Sequence, residues 1–188
     1  MLTAHAERSL LVLVDLQPSF LKAIEAGDRV VQRGRFLAEM AALLEIPVVV
    51  TEQNVPRMGG TAEELIALLD PAGARVLPKM SFSGCGASGF DAILSSQRRR
   101  QIVIAGIETH ICVLQTALHL VEREYDVFVA GDAVHARTQD AHVIGIERMR
   151  QAGICITHSE SIAYEWLGTA DHPLFKEALG IVKRYTGT

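Results

Sequence analysis

Short apolar segments alternate along the chain with longer segments in which apolar positions recur at a helical period. The apolar segments are three to seven residues long, and most are rich in Val, Ile and Leu. Continuous runs of this kind are typical of parallel strands that are buried on both faces. The strands predicted in this way are Ser9–Asp15, Pro47–Thr51, Arg75–Leu77, Gln101–Ala105, Asp126–Ala130 and Ile154–Thr157.

The longer segments have the apolar spacing of helices that pack one face on a core. The predicted helices are Arg29–Leu44, Ala62–Leu69 (ended by Asp70 and Pro71), Gly89–Ser96, His110–Glu124, Asp140–Gln151, Ser159–Leu167 and Leu174–Tyr185. Helices that connect successive strands favour a parallel sheet covered on both sides. We therefore predict a Rossmann-like, three-layer α/β/α fold with a six-stranded parallel sheet. No linker or repeat interrupts the series, so we expect residues 1–188 to form one domain.

The composition argues against several classes of protein. With 49% hydrophobic and 21% charged residues, the chain has enough apolar side chains for a full core, which excludes disorder. The net charge of −4 argues against a nucleic-acid partner, because such proteins normally present a basic surface. The apolar run before Asp15 has only five residues, which is too short for a signal peptide or a membrane span.

The cysteines indicate the cellular compartment. Cys85, Cys112 and Cys155 are an odd number with no CxxC pair, so they build neither a disulfide framework nor a four-ligand zinc site by themselves. We expect a cytoplasmic location, where thiols stay free and one of them can be chemically active.

Three reactive side chains follow three of the predicted strands. Asp15 ends the first strand, Lys79 follows the third, and Cys112 lies a few residues after the fourth. Because the carboxyl ends of parallel strands meet at one edge of a sheet, we expect these side chains to converge there. Together they supply a base, a cation and a nucleophile, which is what acyl transfer through a thiolate requires.

Each of these residues also has a purely structural interpretation. Asp15 could cap the turn at the strand exit, Lys79 could be a surface lysine, and Cys112 could be a small buried hydrophobic residue. In the functional interpretation, Cys112 lies at the start of a predicted helix, where the helix dipole is expected to lower the thiol pKa.

The order and spacing of five short motifs carry a resemblance to a known family. These motifs are LLVLVDLQPSF at the first predicted strand, TEQN after the second, LPKMSFS after the third, AGIETHICVLQTALHL at the fourth and GDAVHAR after the fifth. In this order they resemble the isochorismatase-like cysteine hydrolases, a superfamily that also includes the nicotinamidases. The stretch ADHPLFKEALGIVK is most similar to the subgroup of isochorismatase domain-containing proteins. The resemblance covers nearly the whole chain.

The resemblance implies a catalytic triad and an oxyanion hole. Asp15 would accept the thiol proton, Lys79 would stabilise the thiolate, and Cys112 would attack a carbonyl carbon. A cis peptide bond between Ile107 and Glu108 would turn the Glu108 N–H toward the Cys112 N–H, so that both hold the oxyanion. The implied activity is hydrolysis of a small amide or ester through a thioester.

Two other activities remain open on this fold. Isochorismatases that cleave a vinyl ether do not depend on a cysteine at this position, so the thiol favours amide or ester substrates. A catalytically idle binding or scaffold protein is the alternative from another class. Alkylation distinguishes an active site from an idle one, because a thiolate at Cys112 should react faster than Cys85 or Cys155.

Particular residues disfavour three further classes. A haloacid-dehalogenase-like phosphatase needs an aspartate two residues after the first, where this chain has Gln17. A cysteine phosphatase needs an arginine six residues after its cysteine, where Leu118 stands. A dinucleotide site needs a glycine-rich turn after the first strand, and DLQPSF has no glycine.

We expect neither a metal ion nor another cofactor. Nicotinamidases place an aspartate and two histidines around a metal after the second strand, but residues 51–57 contain no histidine. The 7 histidines of the chain show no HxH or HExxH spacing. His110 is a candidate base because it precedes Cys112 by two residues, but it is more simply a residue near a helix start.

The expected partners are a small-molecule substrate and further copies of the chain. Phe20, Gln53 and Phe82 lie close in sequence to the site segments, so we expect them to line a pocket for a small, partly apolar acyl compound. The segment Thr109–Val121 is apolar around more of its circumference than one core stripe needs. Because monomers seldom expose large apolar patches, we expect a C₂ dimer or larger homo-oligomer that buries this face. The alternative is a helix buried entirely within its own domain.

Overall fold

The computed structural model describes residues 3–69 and 73–187, and a sheet of six parallel strands forms its centre. The strands are β1 (Ser9–Val14), β2 (Val48–Gln53), β3 (Arg75–Lys79), β4 (Gln101–Ile107), β5 (Asp126–His135) and β6 (Cys155–Thr157). Their order in the sheet is β3-β2-β1-β4-β5-β6.

Helices cover both faces of this sheet. They are α1 (Pro18–Leu21), α2 (Gly27–Leu43), α3 (Val55–Met58), α4 (Glu63–Leu69), α5 (Phe90–Gln97), α6 (Leu114–Glu122), α7 (Gln139–Gln151), α8 (Ser159–Leu167) and α9 (Phe175–Thr186). One apolar layer contains residues of α2, α4, α8 and α9, and the other contains residues of α5, α6 and α7. Within β1, Leu11 and Leu13 belong to the first layer, whereas Leu10 and Val12 belong to the second. The predicted three-layer α/β fold is confirmed.

The strand order determines where a site can form. The chain proceeds from β1 through β2 to β3 on one side and then returns to β4, which pairs with the other side of β1. In open parallel sheets, ligands bind outside the carboxyl ends of the strands at which the order reverses, here β1 and β4. Asp15 follows β1 directly, and Cys112 lies five residues after the last residue of β4.

The short helices α1 and α3 were not predicted, and two of the predicted elements differ most from the structure. Strand β5 continues five residues beyond the predicted end at Ala130, and Ile107 of β4 lies in register with His135. The prediction stopped early because Gly131 and Asp132 interrupt the apolar run. The predicted helix His110–Glu124 begins instead with a π-helical turn, Thr109–Val113, before α6. The predicted helix stop at Asp70 and Pro71 lies outside the described residues.

No helix in the described ranges is long and apolar enough to cross a membrane.

Gly106 allows β1 and β4 to approach closely beside the site. It has a φ of +127°, which side chains rarely tolerate, and a Cβ there would lie 2.1 Å from the carbonyl oxygen of Val14. The atoms that such a Cβ would meet belong to the backbone of Val14 in the middle of the sheet, so they cannot move aside without disturbing β1.

We expect Gly106→Ala to lower the free energy of unfolding by about 3 kcal/mol, since the clash combines overpacking with backbone strain. The midpoint of thermal unfolding would fall by roughly 10 °C for a domain of this size. Gly180→Ala is the matched control, because nothing lies within 4 Å of a Cβ at that position in α9. Equal melting temperatures for the two variants, measured by circular dichroism, would contradict this account of Gly106.

Candidate active site

Asp15 is held in a fixed position at the end of β1. Its backbone has a left-handed conformation with φ 53°, which aspartate tolerates better than most residues. Its amide still donates to the Thr51 carbonyl of β2, and the Thr51 hydroxyl donates to Oδ1 at 2.7 Å. The carboxylate is therefore buried but has partners on both oxygens, because Lys79 donates to Oδ2.

Lys79, the last residue of β3, forms a buried ion pair with Asp15. The Nζ to Oδ2 distance is 2.7 Å, and both side chains are almost completely buried. Nζ also donates to Gln53 Oε1 at 2.7 Å and to the carbonyl oxygens of Ser81 and Phe82 at 3.2 and 3.1 Å. A buried charge without partners is very costly, so these contacts explain how an ammonium is retained here.

Cys112 lies in the π-helical turn that follows β4 and is 8% exposed. Its thiol lies close enough to both Asp15 and Lys79 for the two side chains to act on its pKa. The structure thus brings together the three reactive residues that the sequence places after three different strands.

The thiol pKa does not follow the expectation from the sequence. The pKa of Cys112 is raised to about 12, mainly by burial and next by the negative charge of Asp15, while the Lys79 ammonium opposes the increase. The predicted lowering of the pKa by a helix N-terminus is therefore wrong, because burial and the neighbouring carboxylate outweigh it. A pKa raised in this direction favours the protonated thiol over the thiolate at neutral pH.

A small pocket opens onto the thiol, with a volume of about 70 Å³. Its lining residues are Asp15, Phe20, Gln53, Phe82, Ile107, Glu108, Ile111 and Cys112. Phe20, Gln53 and Phe82 therefore all lie at this pocket. A groove of about 880 Å³ lies at the opposite edge of the sheet, around the start of β2, but it holds none of the three reactive residues.

The peptide bond between Ile107 and Glu108 is cis. The Glu108 side chain turns away toward Arg137, which follows β5. Glu108 Oε2 accepts hydrogen bonds from the Arg137 backbone N–H at 3.0 Å and from its Nε at 3.1 Å. This ion pair connects the segment before Cys112 to the residues that follow β5.

Sequence reasoning missed several residues that build the site. Thr51 and Arg137 lie within motifs that were noted only as markers of resemblance. In the sequence, Gln17 is informative only because a phosphatase would have an aspartate there. In the structure its side chain is completely buried and hydrogen-bonded to β2. The only sequence signal for a role of Gln17 is its place two residues after Asp15. This signal is weak, because most polar side chains just after a strand are solvated.

The helical segment that contains Cys112 is more fully covered by its own chain than the sequence suggests. Val113, Leu114, Ala117 and Leu120 are buried in the apolar layer, and Ile111, Leu118 and Val121 pack against it partly buried. The large exposed apolar side chains lie elsewhere, with Met80 at 70% and Ile144 at 65% exposure. The apolar residues of Thr109–Val121 are therefore accounted for by packing within the chain, and they do not by themselves require an oligomer.

The histidines lie away from the triad or pack on one another. His135 and His142 stack with ring centroids 4.6 Å apart, and Thr109 Oγ1 contacts His142 Nδ1 at 2.9 Å. The pKa of His142 is lowered to about 4, mainly by burial and next by the neighbouring His135. Within the described residues, no group of three or more His, Cys, Asp or Glu side chains could hold a metal ion.

Comparison with known protein families identifies the class to which this fold and site belong. The isochorismatase domain model matches residues 9–161, a range that contains Asp15, Lys79 and Cys112. The chain belongs to the isochorismatase family, as the resemblance predicts.

The matches to individual relatives extend over most of the chain. Isochorismatase domain-containing protein 1 from Salmo salar is 36% identical over 170 residues, which are 90% of this chain but 59% of the salmon protein. The chain thus spans about three-fifths of the length of that relative. A Caenorhabditis elegans structure described as MAR1 ribonuclease is 31% identical with a TM-score of 0.88, covering 96% of this chain and 92% of that one.

A further structure shows the same fold at lower identity. The YcaC gene product from Escherichia coli, described as an octameric hydrolase of unknown specificity, is 22% identical with a TM-score of 0.89. The match covers 98% of this chain and 91% of the bacterial one.

Proposed function

We propose that the protein is a cysteine hydrolase of small amides or esters, with Cys112 as nucleophile, Asp15 as general base and Lys79 as the stabilising cation. The observation that carries this proposal is the buried Lys79–Asp15 pair, 2.7 Å apart, whose carboxylate lines the same small pocket as the Cys112 thiol. A pseudoenzyme has no need to bury such a pair beside a thiol, since replacing a buried ion pair with apolar side chains is often neutral or stabilising.

The proposed reaction starts from the neutral thiol. As substrate arrives, the thiol proton passes to the Asp15 carboxylate while sulfur bonds to the carbonyl carbon and the carbonyl π electrons move to oxygen. The oxyanion collapses, the bond to the amine or alcohol breaks, and the leaving group takes the proton from Asp15. Water then attacks the thioester, with Asp15 accepting its proton, and the carboxylic acid departs as the thiol is restored.

The backbone supplies the oxyanion hole in this proposal. The N–H groups of Glu108 and Cys112 would hold the developing charge, and two such donors contribute several kcal/mol to lowering the barrier. The contacts of the Glu108 carboxylate with Arg137 support this assignment, because they fix the residue that carries one donor.

The pocket supports a small, partly apolar acyl group as the substrate. Its volume of about 70 Å³ and the side chains of Phe20, Phe82 and Ile111 favour a short apolar chain on the carbonyl. The cysteine at position 112 supports amides or esters over the vinyl ether of isochorismate.

A panel of small amides and esters, assayed for release of acid or ammonia, tests the proposal. We expect turnover to be highest for short apolar acyl groups and to fall as the acyl chain outgrows the pocket. The panel should include isochorismate and a short RNA, because the C. elegans neighbour is described as a ribonuclease. Turnover confined to RNA or other phosphoesters would overturn the proposal, and no turnover of any compound would favour an idle binding protein.

We also propose that the chain self-associates and works in the cytoplasm as one domain without a cofactor. Exposed apolar side chains at Met80, Phe82, Val143 and Ile144 support self-association, as does the octameric state in the description of the E. coli neighbour. Three free cysteines among the described residues suit a reducing compartment.

Light scattering coupled to size exclusion is expected to give a mass of at least twice 20.5 kDa at micromolar concentration. Ile144→Lys on α7 should shift this mass toward the monomer, since it places a charge in an apolar contact. Tyr164→Lys on α8 is the matched control for an exposed apolar residue on the other helical layer. A 20.5 kDa species for the wild-type chain would refute self-association.

A further inference from the structure

Gln17 acts as a substitute for a missing strand beside the end of β2. Strand β1 pairs with β2 only as far as Val14 and Thr51, because the chain turns away at Asp15. Two residues further along β2, the backbone N–H of Gln53 donates to Gln17 Oε1 at 2.7 Å. Gln17 Nε2 donates to the Gln53 carbonyl at 3.0 Å. The side-chain amide thus satisfies the N–H and C=O of Gln53, which two successive peptide groups of a neighbouring strand would otherwise do.

The remaining hydrogen-bonding capacity of Gln17 is also used. Its second N–H donates to the carbonyl oxygen of Gly59, in the connection between β2 and α4. The side chain is completely buried, so each lost contact would leave a polar group without a partner. Its three bonds hold the last residue of β2 and the connection that follows it.

Gln53 in turn contacts the catalytic cation. Its Oε1 accepts from Lys79 Nζ at 2.7 Å, and its Nε2 donates to the Met80 carbonyl at 3.0 Å. A lysine side chain is a flexible four-carbon stem, so the position of its charge depends on the acceptors around it. Gln53 is therefore a second side-chain acceptor of the ammonium, at the same distance as Asp15.

We propose that Gln17 is a positioning residue that fixes Gln53, so that the Gln53 side-chain carbonyl holds the Lys79 ammonium against Asp15 and Cys112. This inference rests on the proposed roles of Lys79 and Cys112. Gln17 does not line the pocket, and it acts on the nucleophile only through Gln53 and Lys79. A longer or more mobile Lys79 contact would weaken the stabilisation of the thiolate as it forms.

Alkylation of Cys112 by iodoacetamide, measured against pH and located by mass spectrometry, tests this inference without a substrate. Because the Lys79 ammonium opposes the increase in the Cys112 pKa, a poorly held ammonium should slow alkylation at a given pH. We expect Gln17→Met, which keeps the volume and removes the hydrogen bonds, to slow it roughly threefold to tenfold, since one pKa unit is tenfold in thiolate. Gln53→Met should have the same effect or a larger one.

Gln101→Met is the matched control. Gln101 is also completely buried, and it bonds to the backbone of residues 3 and 5 at the opposite edge of the sheet. We expect its replacement to lower the melting temperature and leave alkylation of Cys112 unchanged. A Gln17→Met protein that melts early but alkylates as the wild type does would show a merely structural role and overturn the inference.

Two further variants keep the test decisive. In Gln53→Met, Gln17 can still bond to the backbone of residue 53, so the fold at this point is retained. Alkylation of Cys112 at the wild-type rate in this variant would overturn the inference, even when Gln17→Met does not fold. In the double variant, the effect of Gln17→Met should disappear if it acts through Gln53. Lys79→Met separates the two proposals, because wild-type alkylation there would contradict the role of Lys79 itself.

Discussion

Cys112→Ala is expected to reduce turnover of any substrate found in the panel by a factor of about 10⁴ or more, because covalent catalysis has no substitute nucleophile in the pocket. Steady-state rates and trapping of the acyl-enzyme by mass spectrometry measure this effect. The acylated species should be present in the wild type and absent in the variant.

Cys155→Ala is the control for this result, since Cys155 lies in β6 at the edge of the sheet, far along the sheet order from β1. It should retain wild-type rates. Retained turnover in Cys112→Ala, combined with its loss in Asp15→Asn, would show that the carboxylate acts without a thioester.

Asp15→Asn is expected to separate the acidity of the thiol from catalysis. The negative charge of Asp15 raises the pKa of Cys112, so removing it lowers that pKa, and the Lys79 ammonium then acts unopposed. Alkylation of Cys112 at pH 8 should become roughly tenfold faster for each unit by which the pKa falls. Turnover should nevertheless fall by about 10²- to 10⁴-fold, because the general base is lost.

Lys79→Met provides the opposite electrostatic change in the same pair. Without the ammonium, the pKa of Cys112 should rise further, so alkylation becomes slower at every pH, and turnover falls as well. A parallel loss of alkylation and turnover in Asp15→Asn would mean that the carboxylate activates the resting thiol, contrary to the direction of its effect on the pKa.

The fold was predictable because the central strands β1, β2 and β4 are buried on both faces. Every residue of β1 is buried, so its apolar run is unbroken and easy to recognise. The helix Ser159–Leu167 also has the predicted bounds, since polar and apolar positions alternate clearly around it. The far half of β5 was not predicted, because its pairing with β4 depends on a partner distant in sequence and not on its own pattern.

The sequence predicts which reactive residues come together, but it does not predict the acidity of the thiol. Topology alone brings residues after parallel strands to one edge, which is why Asp15, Lys79 and Cys112 meet. The pKa of the thiol depends on burial and on distances that a sequence does not contain, and the prediction had the wrong direction. Gln17 was missed for a related reason, because only the structure shows that its amide continues the ladder of β2 after β1 has turned away.

The buried triad is electrically neutral at every stage of the proposed reaction. With the thiol protonated, the charges of Asp15 and Lys79 cancel in the resting protein. When the proton moves to Asp15, the oxyanion replaces the carboxylate as the counter-ion of Lys79, and the balance returns as the leaving group departs. A substrate with a charged acyl group would break this balance in a pocket with little room for water, at a cost of several kcal/mol. If the proposed reaction is correct, we expect the pocket to select by charge as well as by size and to favour uncharged acyl groups.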